Sequence, residues 1–153
     1  MQLALFEPDI PQNTAAILRT AACLAVPVHI IGPAGFDLSP RAVRRAGLDY
    51  AATARWTQHA DWPSFRADIG NRLVLFTTQG DTLIHRFKFD RDDIIVFGSE
   101  TGGVPERIHD ECAHRVRIPM APAQRSLNLA VSVGIALSAA LSGSGLFDSK
   151  DYQ

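Results

Sequence analysis

No apolar run in this sequence approaches the length of a membrane span, and its opening, MQLALFEPDIPQN (1–13), has neither the basic start nor the long apolar segment of a secretory signal. A membrane partner is therefore not expected, and a cytoplasmic location is. Cysteine is scarce. Cys23 and Cys112 fall in predicted helices, which suits reduced thiols rather than a disulfide framework. There is no G-x-x-x-x-G-K-[ST] phosphate loop, GPAG (32–35) is a turn rather than a dinucleotide fingerprint, and there is no G-x-S-x-G elbow. An ordinary NTPase, nicotinamide enzyme or serine hydrolase is thereby disfavoured. His109, Cys112 and His114 lie close together, but no second ligand pair accompanies them and their spacing matches no usual zinc site, so no metal is expected. Strong charge is also lacking. A net charge of −1 neither announces nor excludes RNA, because a sum hides its distribution.

What is present is a core. With 46% hydrophobic residues in 153, the chain is long enough for one domain, read as 1–153 with a polar tail fraying after about 143. Short apolar runs ended by Pro, Gly or Asp predict strands at 2–6, 28–31, 72–78, 93–99 and 114–119, with another within 50–57. Segments 11–26, 39–47, 61–70, 104–113 and 126–141 read as helices. Such alternation predicts an α/β domain around a mainly parallel sheet with flanking helices, and ligands at the carboxyl ends of the strands.

Three strand-to-helix junctions carry polar side chains. In PQNTAAILRT (11–20), Asn13 stands near a helix start and Arg19 lies among apolar neighbours, which calls for an anionic partner. In FGSETGGVP (97–105) a strand empties into glycines around one carboxylate, Glu100, which would repel a phosphate. In IPMAPAQRSLNLA (118–130) a strand meets a proline-containing turn and the last helix. Each has a structural explanation: Asn13 as a cap, Glu100 as a cap or ion-pair partner of Arg19, Ser126 or Asn128 as the cap of the last helix. Their joint occurrence at separate junctions favours a site.

Taken in order, Asn13-x5-Arg19, FGSETGGVP and IPM…RSLNLA resemble the three motifs of the SPOUT, or α/β-knot, RNA methyltransferases over residues 3–142. With FEPDIPQNTAAILRTAA (6–22), VRRAGLDY (43–50) and LFTTQG (75–80), the chain is similar to the minimal-length group that methylates the ribose 2′-oxygen of the wobble nucleotide of certain tRNAs. The resemblance implies a deep C-terminal trefoil knot, a homodimer, a tRNA partner and S-adenosyl-L-methionine as cofactor, whose cationic sulfonium suits a carboxylate among glycines. It implies a cofactor pocket lined by Phe76, Thr77, Thr78, Gly80, Gly98, Glu100, Gly103, Ile118, Met120, Ser126 and Leu127. It nominates Arg19 for catalysis, with Asn13, Glu100 and Asn128 holding it and the hydroxyl in place. Because arginine stays protonated in proteins, Arg19 is read as a clamp on a phosphate or the developing oxyanion. Arg41, Arg44, Arg45 and Arg55 are the implied RNA contacts. Relatives commonly carry arginine where this chain has Gly102, which removes one possible RNA contact. Two alternatives remain beside this reading: methylation of another tRNA or rRNA site, or a noncatalytic RNA-binding module.

Overall fold

A computed structural model describes residues 1–39, 53–149 and 152. The predicted helix at 39–47, the VRRAGLDY segment and Arg41, Arg44 and Arg45 lie at or beyond the edge of the described residues. Among the described residues, seven strands form one sheet: β1 Gln2–Phe6, β2 Val28–Ile31, β3 Trp56–His59, β4 Leu73–Phe76, β5 Thr82–Leu83, β6 Ile94–Phe97 and β7 His114–Arg117. They lie in the order β3-β2-β1-β6-β4-β7-β5, and every neighbouring pair is parallel. The helices are α1 Pro11–Cys23, α2 Trp62–Asp68, α3 Glu106–Glu111 and α4 Leu129–Gly143.

Because side chains alternate along a strand, the sheet feeds two cores. Leu3, Leu5, Val74, Phe76, Ile95 and Phe97 pack with Ile17, Leu18 and Ala21 of α1 and with Val133, Ala136, Leu137 and Ala140 of α4. Ala4, Phe6, Leu73, Leu75, Ile94 and Val96 meet Trp62 and Phe65 of α2, Ile108 of α3 and Cys112 at the end of α3. The central strands are therefore apolar on both faces, which explains their unbroken hydrophobic runs.

Strands β1 and β2 have the expected bounds, while β4, β6, β7 and helices α1, α2 and α3 are shorter than expected. Asp61 caps α2 by accepting from the Ser64 amide at 2.8 Å. Helix α1 ends at Cys23 rather than 26, in a closure where Val26 N–H donates to Ala21 O and Ala25 N–H to Ala22 O. Ala25 takes the left-handed conformation there, with φ 50°, in a position usually given to glycine. The strand sought within 50–57 is β3, displaced to 56–59, and the two-residue β5 was not anticipated. The thiols differ: Cys23 is exposed, whereas burial pushes the Cys112 thiol up to about 11.

One polar cluster lies within the α2 side of the sheet. His29 donates from Nε2 to Gln2 Oε1, so a neutral His29 accepts at Nδ1 from His59 Nε2, 2.9 Å away. His59 Nδ1 faces the Asp68 carboxylate at 3.6 Å. Burial, and then the neighbouring His59, hold the His29 pKa below its ordinary value. The folded chain thus binds fewer protons here than the unfolded chain. The stabilisation is present above the unfolded value near about 6.5 and is lost as pH falls from there through the lower folded value. Urea unfolding at about pH 7.5 and about pH 5 should show lower stability in acid, and His29→Gln should flatten that difference. An equal pH dependence in the variant would remove His29 as its source.

Candidate functional site

The carboxyl ends of β4, β6 and β7 and the start of α4 enclose a cavity of about 620 Å³. Parallel strands end on one edge of a sheet, where their departing loops leave room for a ligand, and the volume is in the usual range for small-molecule sites. Phe76, Thr77 and Thr78 line it from the first loop, Gly98, Glu100 and Gly103 from the second, and Ile118, Met120, Ser126 and Leu127 from the third. Asn13 of α1 and Asn128 also reach it. The three junction segments are thus brought to one place.

Asn128 ties them together. It caps α4 by accepting from Val131 N–H at 3.2 Å, and its Nδ2 donates to Asn13 Oδ1 at 2.9 Å. Asn13 Nδ2 donates in turn to Glu100 Oε1 at 2.8 Å, and Asp9 N–H donates to Glu100 Oε2 at 2.8 Å. Asp9 also accepts from Thr101 N–H at 3.2 Å and from the Thr101 hydroxyl. Glu100 is therefore neither a helix cap nor free to swing, because both its oxygens are engaged. Asn13 is the third residue of α1 rather than its cap, which is Ile10. Ser126 precedes the cap of α4, which begins at 129 rather than 126.

The glycines have a reason internal to their loop. Ser99 and Gly103 exchange both backbone hydrogen bonds, at 3.0 and 2.9 Å, folding residues 99–103 into a closed turn. A Cβ on Gly98 would lie 2.2 Å from the Gly103 carbonyl carbon, and Gly103 itself has φ 64°. Gly80 does not line the cavity; a Cβ there would strike the Val116 backbone at 2.6 Å, so it packs the first loop against β7.

Arg19 does not join the cavity lining. Its expected setting among core positions is corrected by the helix: Thr14, Ile17, Leu18 and Ala21 form the buried stripe of α1, while Arg19 is exposed. Arg55 is also exposed, donating from Nη2 to Ala25 O. Sequence reasoning missed His109, Arg125, Ile10, Val104, Leu129 and Ser132 in the lining. The signal for Arg125 was its place beside Ser126. His109 was considered only with Cys112 and His114; Cys112 is buried against the core and His114 packs edge-on to Phe87. Among the described residues, no group of three or more His, Cys, Asp or Glu side chains is arranged to hold a metal ion.

Residues 1–138 match the model of the SpoU rRNA Methylase family. The chain belongs to this family. It is 46% identical over 142 residues to a tRNA (cytidine(34)-2′-O)-methyltransferase of Beijerinckia indica, covering 91% of this chain and 89% of that relative. A solved structure described as giving structural insights into the 2-OH methylation of C/U34 on tRNA superposes with a TM-score of 0.85 at 38% identity, covering 93% of this chain and 89% of the other. An AdoMet-bound rRNA methyltransferase from Sinorhizobium meliloti superposes with a TM-score of 0.75 at 25% identity, covering 92% of this chain and 55% of that one. This SpoU-family chain has the α/β sheet expected from its sequence, with all seven strands parallel. None of its described helices is long and apolar enough to cross a membrane.

Proposed function

We propose that this chain is an S-adenosylmethionine-dependent ribose 2′-O-methyltransferase acting on the nucleotide at position 34 of tRNA in the cytoplasm, as a single knotted domain. The observation that carries the reading is the Asn128–Asn13–Glu100 chain, which draws three junction segments around one cavity in a protein 46% identical to a relative named for this reaction. The walls fit the cofactor: Ile118, Met120, Leu127 and Leu129 offer apolar surface to a purine, Thr77, Thr78 and Ser126 offer hydroxyls, and Glu100 offers negative charge to a cation. When bound, S-adenosylmethionine supplies an electrophilic methyl group on its sulfonium. Within this reading Gly98, Gly103 and Gly80 shape the loops that receive it, while Asn13, Glu100 and Asn128 keep the mouth rigid so that the ribose hydroxyl meets the methyl in line. Arg19, permanently charged and outside the cavity lining of its own subunit, is assigned to a phosphate of the bound RNA or, from a second copy, to the developing oxyanion, the hydroxyl proton passing to water.

A homodimer belongs to the same proposal. Val131 and Ile135, one turn apart on α4, are 52% and 38% exposed, and Leu127 and Ile10, which line the cavity, are 41% and 39% exposed; these apolar groups are the surface assigned to the second copy. A second copy on this face supplies a second set of the RNA contacts that the sequence implies, Arg41, Arg44, Arg45 and Arg55. Unmodified tRNA incubated with the protein and S-adenosylmethionine should gain one 2′-O-methyl at position 34, read by mass spectrometry of nuclease fragments. Wild type should sediment as a dimer at micromolar concentration, and Val131→Asp as an inactive monomer. Methylation at another position of tRNA or rRNA would transfer the activity to that substrate, and binding without methylation would leave an RNA-binding module.

A further inference from the structure

Among the described residues, the cavity lining contains one carboxylate and one permanent cation. The carboxylate, Glu100, is engaged by Asn13 and Asp9. The cation, Arg125, is exposed, and among the described residues its guanidinium has neither an ion pair nor a hydrogen bond. It stands on the loop between β7 and α4, whose residues 121–128 are all exposed and which turns through a Gln124 N–H to Ala121 O bond and a left-handed Ala123 with φ 69°. Arg125 thus forms part of the outer wall, on the solvent side that a polymer must approach. Helix α4, fifteen residues long, begins four residues further on and adds the positive end of its dipole to the same rim.

We propose that Arg125 is the residue of this site that holds a backbone phosphate of the RNA next to the ribose being methylated. A guanidinium offers parallel N–H donors that match two phosphate oxygens, and a phosphate gives it the anionic partner that it lacks among the described residues. Held there, the ribose has one fewer rotation to lose before its hydroxyl meets the methyl. The assignment rests on the RNA-methylating reading given above. The competing anion is the carboxylate of the methyl donor. Arg125 is preferred for the polymer because it stands on a loop whose residues 121–128 are all exposed, a longer exposed stretch than the tips of the other two cavity loops, 78–79 and 101–103.

The test compares wild type, Arg125→Gln and Arg125→Lys by calorimetry with S-adenosylmethionine, by tRNA binding across a salt series, and by steady-state methylation. Arg125→Gln should keep the melting temperature and the donor affinity, raise KM for tRNA about tenfold, and reduce the slope of log affinity against log salt by about one. Arg125→Lys should keep the salt slope but restore KM for tRNA only in part, because it keeps the charge and loses the fork. A fall in donor affinity with an unchanged salt slope would assign Arg125 to the donor's carboxylate and overturn the proposal. So would unchanged tRNA binding. If wild type itself methylates no RNA, the functional reading fails, a result distinct from an active wild type with an indifferent Arg125.

Discussion

Gly98→Val is expected to weaken methyl-donor binding about a hundredfold while leaving the sheet folded. Gly98 follows β6 at the point where the loop returns upon itself, so that a Cβ would be 2.2 Å from Gly103 C, 2.4 Å from its O and 2.7 Å from its Cα. All three are backbone atoms, held by the paired Ser99–Gly103 hydrogen bonds, and no side chain can rotate to relieve the overlap. The loop must open, and with it go the positions of Glu100 and Thr101. Overpacking of this kind costs about 1–3 kcal/mol or more, which concentrated on the donor site weakens binding by about a hundredfold. Gly103→Ala supplies the comparison. It meets no atom within 4 Å and suffers only its left-handed φ, a strain of about 1–2 kcal/mol. Calorimetry with S-adenosylhomocysteine and circular dichroism on both variants check the order of effects. Wild-type affinity in Gly98→Val would take this loop out of the donor site.

Glu100→Gln should be the second large loss, and its isosteric shape makes the reason electrostatic. Both carboxylate oxygens accept: one from Asn13 Nδ2, the other from Asp9 N–H. Glutamine retains one acceptor and presents an NH2 where the other stood, so one donor is left facing a donor whichever way the amide turns. An unsatisfied group of this kind costs about 1–3 kcal/mol. The loss reaches Asn128 through Asn13, and therefore the start of α4. Turnover is expected to fall about ten- to a hundredfold, with a smaller change in melting temperature. In a double-mutant cycle, Asn13→Ala should cost much less in the Glu100→Gln background than in wild type. Additive effects would show that the two residues do not act as a unit.

The sheet was legible because its strands are short apolar runs with turn residues at their ends. Thr82–Leu83 escaped because two residues carry no periodicity, and the end of α1 because Ala25 occupies a position that glycine normally marks. The motifs lie on loops that the fold gathers around one cavity, but sequence adjacency misplaced Arg19. On a helix, neighbours in sequence stand about 100° apart, so a residue beside Leu18 need not share its buried stripe. The Asn128–Asn13 bond, joining residues 115 apart, has no local signature at all. Nor did the glycines disclose their purpose. They read as room for a ligand, and the geometry makes Gly98 and Gly80 sites of backbone-to-backbone closure.

That long-range bond also sets an order of manufacture. A ribosome delivers Asn13 first, Glu100 many residues later and Asn128 last, so a nascent chain halted before Asn128 has the first two links without the third. β1 likewise waits for β6 before both its edges are paired. Truncated or stalled products are thus unable to complete the rim of the cavity, and competence to methylate arrives only when nearly the whole chain has emerged.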